Sequence, residues 1–315
     1  MVNSKESRIK VIGLGEVGGK AVAYLYERPH KYVSVVASDV DYATLSGCLV
    51  PDKLILNKFA KDDPGIYDDI TLGKTAATES INEVKALLAE RTDILFVVTD
   101  ISDSTGSGAA TVFTQAAREL DILTIVIGIL PYRAEETQNY MDTEKVLQDI
   151  KAHSDAQLIL SPDRLLESSD QHTAEDASTE VHKLIFTTVR CIADIVTIEA
   201  EVNVDLEDVR TVIAGASKAT VGSGVGVGEG RAMLAAHGAV ATALLGNEIK
   251  DANRVLLSVI SGPETELEMD ELIDIVEFIQ NSTSEQAEII FGHAIDDDLK
   301  DQLRVTFITS TFSEN

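Results

Sequence analysis

The stretch TDILFVVTDISDSTGSGAATVFTQAARELDILTIVIGILPY, residues 92–132, reads as a strand, a loop with Thr105, Gly106, Ser107 and Gly108, a helix, and a second strand. Thr105 to Gly108 would put backbone amides and two hydroxyls at a helix N-terminus. There, unpaired N–H groups and the helix dipole attract an anion. A turn of the same kind stands earlier. VIGLGEVGGK, residues 11–20, is an apolar run ending in Gly13, Gly15, Gly18 and Gly19. Taken alone, Gly13-x-Gly15-x-x-Gly18 fits the dinucleotide fingerprint, with Asp39 near the distance at which an acid would hold a ribose hydroxyl. A dinucleotide enzyme needs one such turn for its pyrophosphate. Two on neighbouring strands point instead to a nucleotide cradled from both sides.

Outward from these turns, strand-like runs rich in Val, Ile and Leu recur near 8–13, 32–37, 53–57, 93–98, 122–129 and 157–160. Helical patterns lie between several of them, at 18–28, 75–90, 107–120 and 141–152. Continuous apolar strands alternating with helices predict an α/β fold with a parallel sheet covered on both faces. Ligands of such sheets gather at the carboxyl ends of the strands, where Gly13–Gly19, Ala37–Asp41 and Thr99–Gly108 fall. A long helix over about 174–197 follows, with Val181, Leu184, Ile185, Thr188, Val189, Ile192, Ile195 and Val196 on one apolar stripe. Beyond it a glycine-rich stretch, VGSGVGVGEG at 221–230, precedes an alanine-rich helix at 231–246. A strand near 254–260, a helix near 267–280 and strands near 286–292 and 303–311 complete a smaller α+β domain.

Composition sets bounds on function. The 315 residues suffice for two domains, and 44% hydrophobic with 25% charged residues is an ordinary globular mix. Acidic residues outnumber basic ones 53 to 26, a net charge of −27 that opposes nucleic acid and anionic lipid as partners. The start, MVNSKESRIK, has no apolar core of signal-peptide length, so a cytoplasmic location is expected. Cys48 and Cys191 have no metal-ligand spacing and read as free thiols.

At this point the sequence resembles the tubulin/FtsZ superfamily, and FtsZ in particular. IKVIGLGEVGGKAV is similar to that family's first phosphate loop and TGSGAA to the end of its glycine-rich signature. SPDRLLE (161–167) is similar to the segment before its central helix, and VNVDLEDVRTVI (202–213) to its acidic loop. VGSGVGVGEGRA and DDDLKDQLRVTFITSTF (296–312) extend the likeness through the second domain. The resemblance implies a GTPase-like nucleotide-binding domain over 1–172, a central connecting helix over 173–200, and the acidic loop with a C-terminal α+β domain over 201–315.

It also implies a mechanism. GTP or GDP would lie between stacked subunits, one supplying the cradle of Gly13, Gly15, Gly18, Gly19, Lys20, Thr105, Gly106, Ser107 and Gly108. The next subunit would supply Asn203, Asp205 and Asp208, whose N-x-D-x-x-D spacing lets two carboxylates orient a water or a cation against a terminal phosphate. Without the flanking likeness, an Asx cap with acids complementing the helix dipole is the better explanation of those acids. Glu135 matches the family's ribose-binding Glu, while Asn139 stands for its Arg. Ser178 and His182 stand where the family contacts guanine with Phe and Asn, and His182 could stack on or hydrogen-bond a base.

Departures fall on the phosphate side. Glu16 and Val17 replace glycines, Lys20 replaces the usual Asn, and Ser102, Asp103 and Ser104 replace three glycines. The loop expected within 60–73 carries four aspartates and two glycines. Two unit charges about 4 Å apart at an effective dielectric of about 20 interact by about 4 kcal/mol, so Glu16 needs Lys20 or Mg²⁺ beside it. The expected protein is therefore an FtsZ-like subunit that binds GTP, forms head-to-tail filaments with itself and acts in cell division, with GTP hydrolysis if the loops allow it. A degenerate pseudo-GTPase that co-assembles with or regulates a conventional FtsZ is the alternative, and an NAD-dependent Rossmann enzyme a minor one. The chain stops at Asn315 without the peptide that docks family members to membrane anchors, so no direct membrane binding is expected.

Overall fold

The computed structural model describes residues 8–56, 71–131, 140–163, 174–197, 200–202, 204–216, 218–246 and 249–312. The chain divides into two compact units, Met1–Phe186 and Thr187–Asn315. In the first unit the order is β1 (Ile9–Leu14), α1 (Gly15–Tyr26), β2 (Val33–Asp39), α2 (Tyr42–Gly47), β3 (Lys53–Ile55), α3 (Thr71–Glu79), α4 (Ile81–Ala89) and β4 (Ile94–Asp100). Next come α5 (Ser104–Glu119), β5 (Leu123–Ile129), α6 (Tyr140–Lys151), β6 (Ala156–Leu160) and α7 (Ala174–Thr197), within which the division falls.

The six strands form one sheet, ordered β3-β2-β1-β4-β5-β6 and parallel at every pairing. All six residues of β1 and all seven of β5 are buried, as strands covered on both faces must be. Ile12, Leu14, Leu95, Val97 and Val126 lie in one cluster with Phe113 of α5, Val84 and Leu88 of α4, and Val146 and Ile150 of α6. Gly13 points the other way, toward Gly18 and Val22 of α1. The expected α/β sheet is thus present, but α1 and α5 begin at Gly15 and Ser104, each three residues ahead of the expected starts at 18 and 107, so the glycines lie in the first turns of helices. The helical pattern at 75–90 is two helices, broken at Ser80, whose φ of −97° and ψ of 21° leave the helical region. A serine that competes for backbone hydrogen bonds is a natural place for such a break.

The second unit continues with β7 (Ala200–Val202), α8 (Leu206–Ile213), β8 (Lys218–Gly226), α9 (Arg231–Gly246), β9 (Arg254–Ser261), α10 (Met269–Ser282), β10 (Glu288–Ile295) and β11 (Leu303–Thr311). Its sheet is ordered β7-β10-β9-β11-β8, with β9 and β10 parallel and the other pairings antiparallel. Ala235, Ala236, Ala239 and Ala243 of α9 pack with Leu257, Val259, Val305 and Phe307 of the sheet and with Ile275 and Ile279 of α10. The first six residues of the glycine-rich stretch, 221–226, belong to strand β8. A Cβ at Gly222 would lie 2.3 Å from the Ala239 carbonyl oxygen, and one at Gly224 2.2 Å from that of Ala235. Glycine on the strand and alanine on the helix let the two backbones meet.

Candidate functional site

The strand order reverses between β1 and β4, which lie side by side with Leu14 opposite Thr99. Ligands of open parallel sheets bind outside the carboxyl ends of the strands at such a reversal. α1 begins directly after β1, and α5 three residues after β4. Two helix N-termini therefore converge on one crevice. The loops touch: a Cβ at Gly106 would sit 2.9 Å from the Leu14 carbonyl oxygen and 2.4 Å from Thr99 Oγ1.

The glycines of the first turn divide the work. Gly15 has a φ of +72°, a left-handed conformation that glycine adopts without strain. A Cβ at Gly13 would meet the Gly18 carbonyl oxygen at 2.1 Å, and one at Gly18 the Val98 carbonyl oxygen at 2.4 Å, so both let α1 lie against the sheet. Gly19 differs. It is buried, yet an added Cβ would meet nothing within 4 Å, which leaves a hollow beside the turn. Leu14, at the N-cap of α1, contributes no side-chain cap, so these amides keep their capacity for an external acceptor.

Glu16 is answered by Lys20, whose Nζ donates to Glu16 Oε1 at 2.6 Å across one helical turn. Both side chains are well exposed, at 67% and 63%, so the pair neutralises charge locally but adds little stability.

The second turn is arranged otherwise. Asp103 is the N-cap of α5, its Oδ1 accepting from Thr105 N at 3.2 Å and its Oδ2 from Gly106 N at 2.9 Å. Ser107 donates to the Asp103 carbonyl through both N, at 2.9 Å, and Oγ, at 2.6 Å. A Cβ at Gly15 would lie 2.2 Å from Asp103 Oδ2, so the carboxylate sits between the two turns. Burial pushes the Asp103 carboxyl above its usual range, the nearby charges of Asp100 and Glu16 add to that, and the two amides oppose it. Asp39, at the end of β2, is raised chiefly by burial and also by Asp103, while its Oδ1 accepts from Asp41 N at 3.1 Å. Gly108 is buried within the first turns of α5.

His182 lies on α7 with its ring centroid 5.9 Å from that of Tyr24 on α1. Burial, with a smaller effect of Lys20, lowers its pKa and favours the neutral ring. It thus flanks the helix that carries the first turn. Ser178, one turn earlier, is half-buried.

In the second unit, Asp205 and Asp208 form a reciprocal capping box at the start of α8. Asp205 Oδ1 accepts from Glu207 N at 2.8 Å and Asp208 N at 3.1 Å, and Asp208 Oδ2 accepts from Asp205 N at 2.9 Å. The box holds the two carboxylates side by side, uses one oxygen of each, and leaves Asp205 exposed. Asn203, Glu135, Asn139 and residues 60–70 lie outside the described residues. Among the described residues, no helix is long and apolar enough to cross a membrane, and no group of three or more His, Cys, Asp or Glu could hold a metal ion.

The role of Asp103 differs from the expectation, in which the glycines are loop and the helix begins at 107. An Asp two and three residues ahead of the Thr105 and Gly106 amides is itself an N-cap signal, and it moves the start to Ser104.

The family model described as Tubulin/FtsZ family, GTPase domain, matches residues 8–170, and that of the FtsZ family, C-terminal domain, matches residues 217–313. A cell division protein FtsZ of Aquifex aeolicus is 33% identical over 309 residues, covering 98% of this chain and 83% of that protein. An empty FtsZ dimer from M. jannaschii superposes with a TM-score of 0.82 at 24% identity, over 96% of this chain and 88% of that one. A GTPγS-bound CetZ2 protofilament from Haloferax volcanii gives 0.79 at 20% identity, over 98% and 94%.

Proposed function

The chain belongs to the Tubulin/FtsZ family, and from that premise we propose that it is a GTP-binding cytoskeletal subunit that stacks head to tail into filaments, probing its nucleotide from both sides of each joint. The observation that carries this reading is the convergence of α1 and α5 at the reversal of the sheet, with a hollow beside Gly19 and no side-chain cap on α1. The donor chemistry fits a polyphosphate: the first main-chain amides of α1, from Gly15 to Val17, the Lys20 ammonium, the Thr105 hydroxyl, and the Thr105 and Gly106 amides that Asp103 now holds. Bound GTP supplies the phosphoanhydride bond to be broken.

The residues of the chain do the remaining work. The α1 amides and Gly19 seat the phosphates, and Lys20 offsets the charge of Glu16. His182, neutral beside Tyr24, is placed to meet the base. From the next subunit Asp205 orients the attacking water, held in place by its box with Asp208, and Asn203 completes that set. The capping box fixes the pair before a neighbour arrives, which is how a positioned carboxylate contributes most. Cell division is the process in which we place these filaments, on the strength of the A. aeolicus relative.

A second reading rests on Asp103 and Glu16. With two carboxylates in the phosphate region, turnover would be slow, and the chain would serve as a partner that caps or modulates a conventional FtsZ. Purified protein separates the readings. Titration with GTP, ATP and NAD in the presence of Mg²⁺ should show saturable binding of GTP alone, and GTP should drive the protein into the pellet on sedimentation. Absence of guanine-nucleotide binding would overturn the first reading. Asp205→Ala should abolish any hydrolysis while leaving nucleotide binding to the isolated subunit within about twofold, because the acid acts on a neighbour's ligand. Hydrolysis that survives the change removes Asp205 from the mechanism.

A further inference from the structure

The first reading of the function gives Asp103 no task, yet its carboxylate lies between the two turns that would hold the phosphates. It makes two hydrogen bonds to consecutive amides at the start of α5, and it rests against the face of Gly15 that carries no side chain. An anionic oxygen held by helix N-terminal amides is the arrangement a phosphate oxygen takes up. The facing terminus, that of α1, carries no such cap. One of the two converging termini therefore brings its own anion and the other does not.

We propose that Asp103 is a resident anion, its carboxylate occupying the phosphate-binding amides of α5 so that a guanine nucleotide binds only by displacing it. The inference deepens the proposed function, resting on its placement of the nucleotide, and names a control on that site. Two effects act in the same direction. Displacement breaks both amide hydrogen bonds, and the freed carboxylate then stays tethered close to the incoming phosphates. Ser107, bonded twice to the Asp103 carbonyl, holds the backbone in place, so the side chain must leave by rotating about its own bonds. The empty site is thus already satisfied, and the subunit takes up nucleotide only above a raised concentration threshold.

The test compares the full chain with Asp103→Gly and Asp103→Asn, titrating each with GTPγS and Mg²⁺ by calorimetry under conditions that keep the subunits dispersed. Glycine is itself tolerated at an N-cap, so the first variant is expected to fold, and Asn retains a neutral acceptor should it not. Asp103→Gly should bind at least about tenfold more tightly, a gain of about 1.4 kcal/mol, with Asn showing a smaller gain in the same direction. Amide hydrogen exchange gives a second readout: Thr105 and Gly106 should exchange faster in the nucleotide-free Gly variant than in the nucleotide-free parent. Equal or weaker binding by both variants, with the parent binding nucleotide, would show that Asp103 only caps the helix, and the proposed function would stand. If parent and variants all fail to bind at millimolar nucleotide, the site itself is misplaced and the inference falls with it.

Discussion

Gly18 and Gly19 are adjacent, and physical chemistry separates them. At Gly18 a methyl group would collide with the Val98 carbonyl, a backbone atom that cannot step aside. Gly18→Ala should therefore lower the melting temperature, as overpacking against main chain costs about 1–3 kcal/mol or more. At Gly19 the methyl enters open space inside a helix, where alanine is favoured over glycine by roughly 0.5–1 kcal/mol. Gly19→Ala should leave the melting temperature unchanged or raise it, while weakening GTP binding at least about tenfold by filling the hollow, a penalty near 1.4 kcal/mol. Thermal unfolding and calorimetric titration of the two variants give the crossed pattern; a Gly19→Ala protein that binds normally would move the phosphates elsewhere. Asp39 carries a different signal. Its carboxyl is raised above the ordinary 3.8, mainly by burial, so its contribution to stability is fully present below that value and is lost as pH rises through the raised one. Asp39→Asn keeps an acceptor for the Asp41 amide and removes the charge. It should melt a few degrees higher than the parent at pH 7, with the gap closing as pH approaches 4. A gap that is constant with pH would mean that the buried charge is not its source.

Among the elements, the junction of α9, α10 and the loop before α10 depends on Arg231. Its Nε and Nη2 donate to the two carboxylate oxygens of Glu271, each at 2.8 Å, and its Nη1 and Nη2 donate to the carbonyls of Thr265 and Glu266. Arg231 is 4% exposed and Glu271 21%. Removing one partner of such a pair costs about 3–5 kcal/mol, so Arg231→Ala should sharply destabilise the second unit, and lysine, without the planar fork, should rescue it only in part. The Arg231 hydrogen bond holds the Glu271 carboxyl below its ordinary 4.5, so the parent's advantage should be present above that pH and shrink as acid titrates the group. Chemical denaturation of parent and variants at pH 7 and pH 4 reads both effects. Elements of this kind were unequally legible in the sequence. Strands β1, β4 and β5 were plain, because burial on both faces makes a continuous apolar run, and β2, β3 and β6 were read from shorter apolar runs. Strand β8 was not read, since glycines 222 and 224 look like a loop until α9 is known to press its backbone against them. The starts of α1 and α5 lie three residues ahead of the expected ones for a related reason: glycines at 15, 18, 106 and 108 look like loop, although each stands in the first turns of a helix. The positions of the two glycine turns at the ends of β1 and β4 were legible from glycine spacing, whereas the filling of one by a carboxylate depends on side-chain direction, which spacing does not encode. The acids at 205 and 208 could be read either as a cap or as a site, and the fold shows the cap.

For the whole molecule the dominant quantity is charge. With 53 acidic against 26 basic residues, any two copies repel at long range. In the head-to-tail stack proposed above, assembly would meet a local penalty, because it would bring Asp205, Glu207 and Asp208 of one subunit toward the Glu16 and Asp103 side of the next. A nucleotide bound as proposed would contribute further negative charge at the same joint, and the Lys20 ammonium is already paired with Glu16. Assembly should therefore be limited by like charge and helped by ions. The screening length falls from about 10 Å at 0.1 M salt to about 3 Å at 1 M, long enough to act across the joint at the lower concentration and too short to do so at the higher. The fraction of protein sedimenting with GTP and Mg²⁺ should rise as KCl is increased across that range, and the concentration needed for assembly should fall. Asp103→Gly removes one charge from the joint, so its assembly should begin at lower salt than that of the parent. If sedimentation instead declines steadily with KCl in both proteins, attraction between opposite charges must outweigh the repulsion, and the joint cannot be the acid-on-acid contact described here.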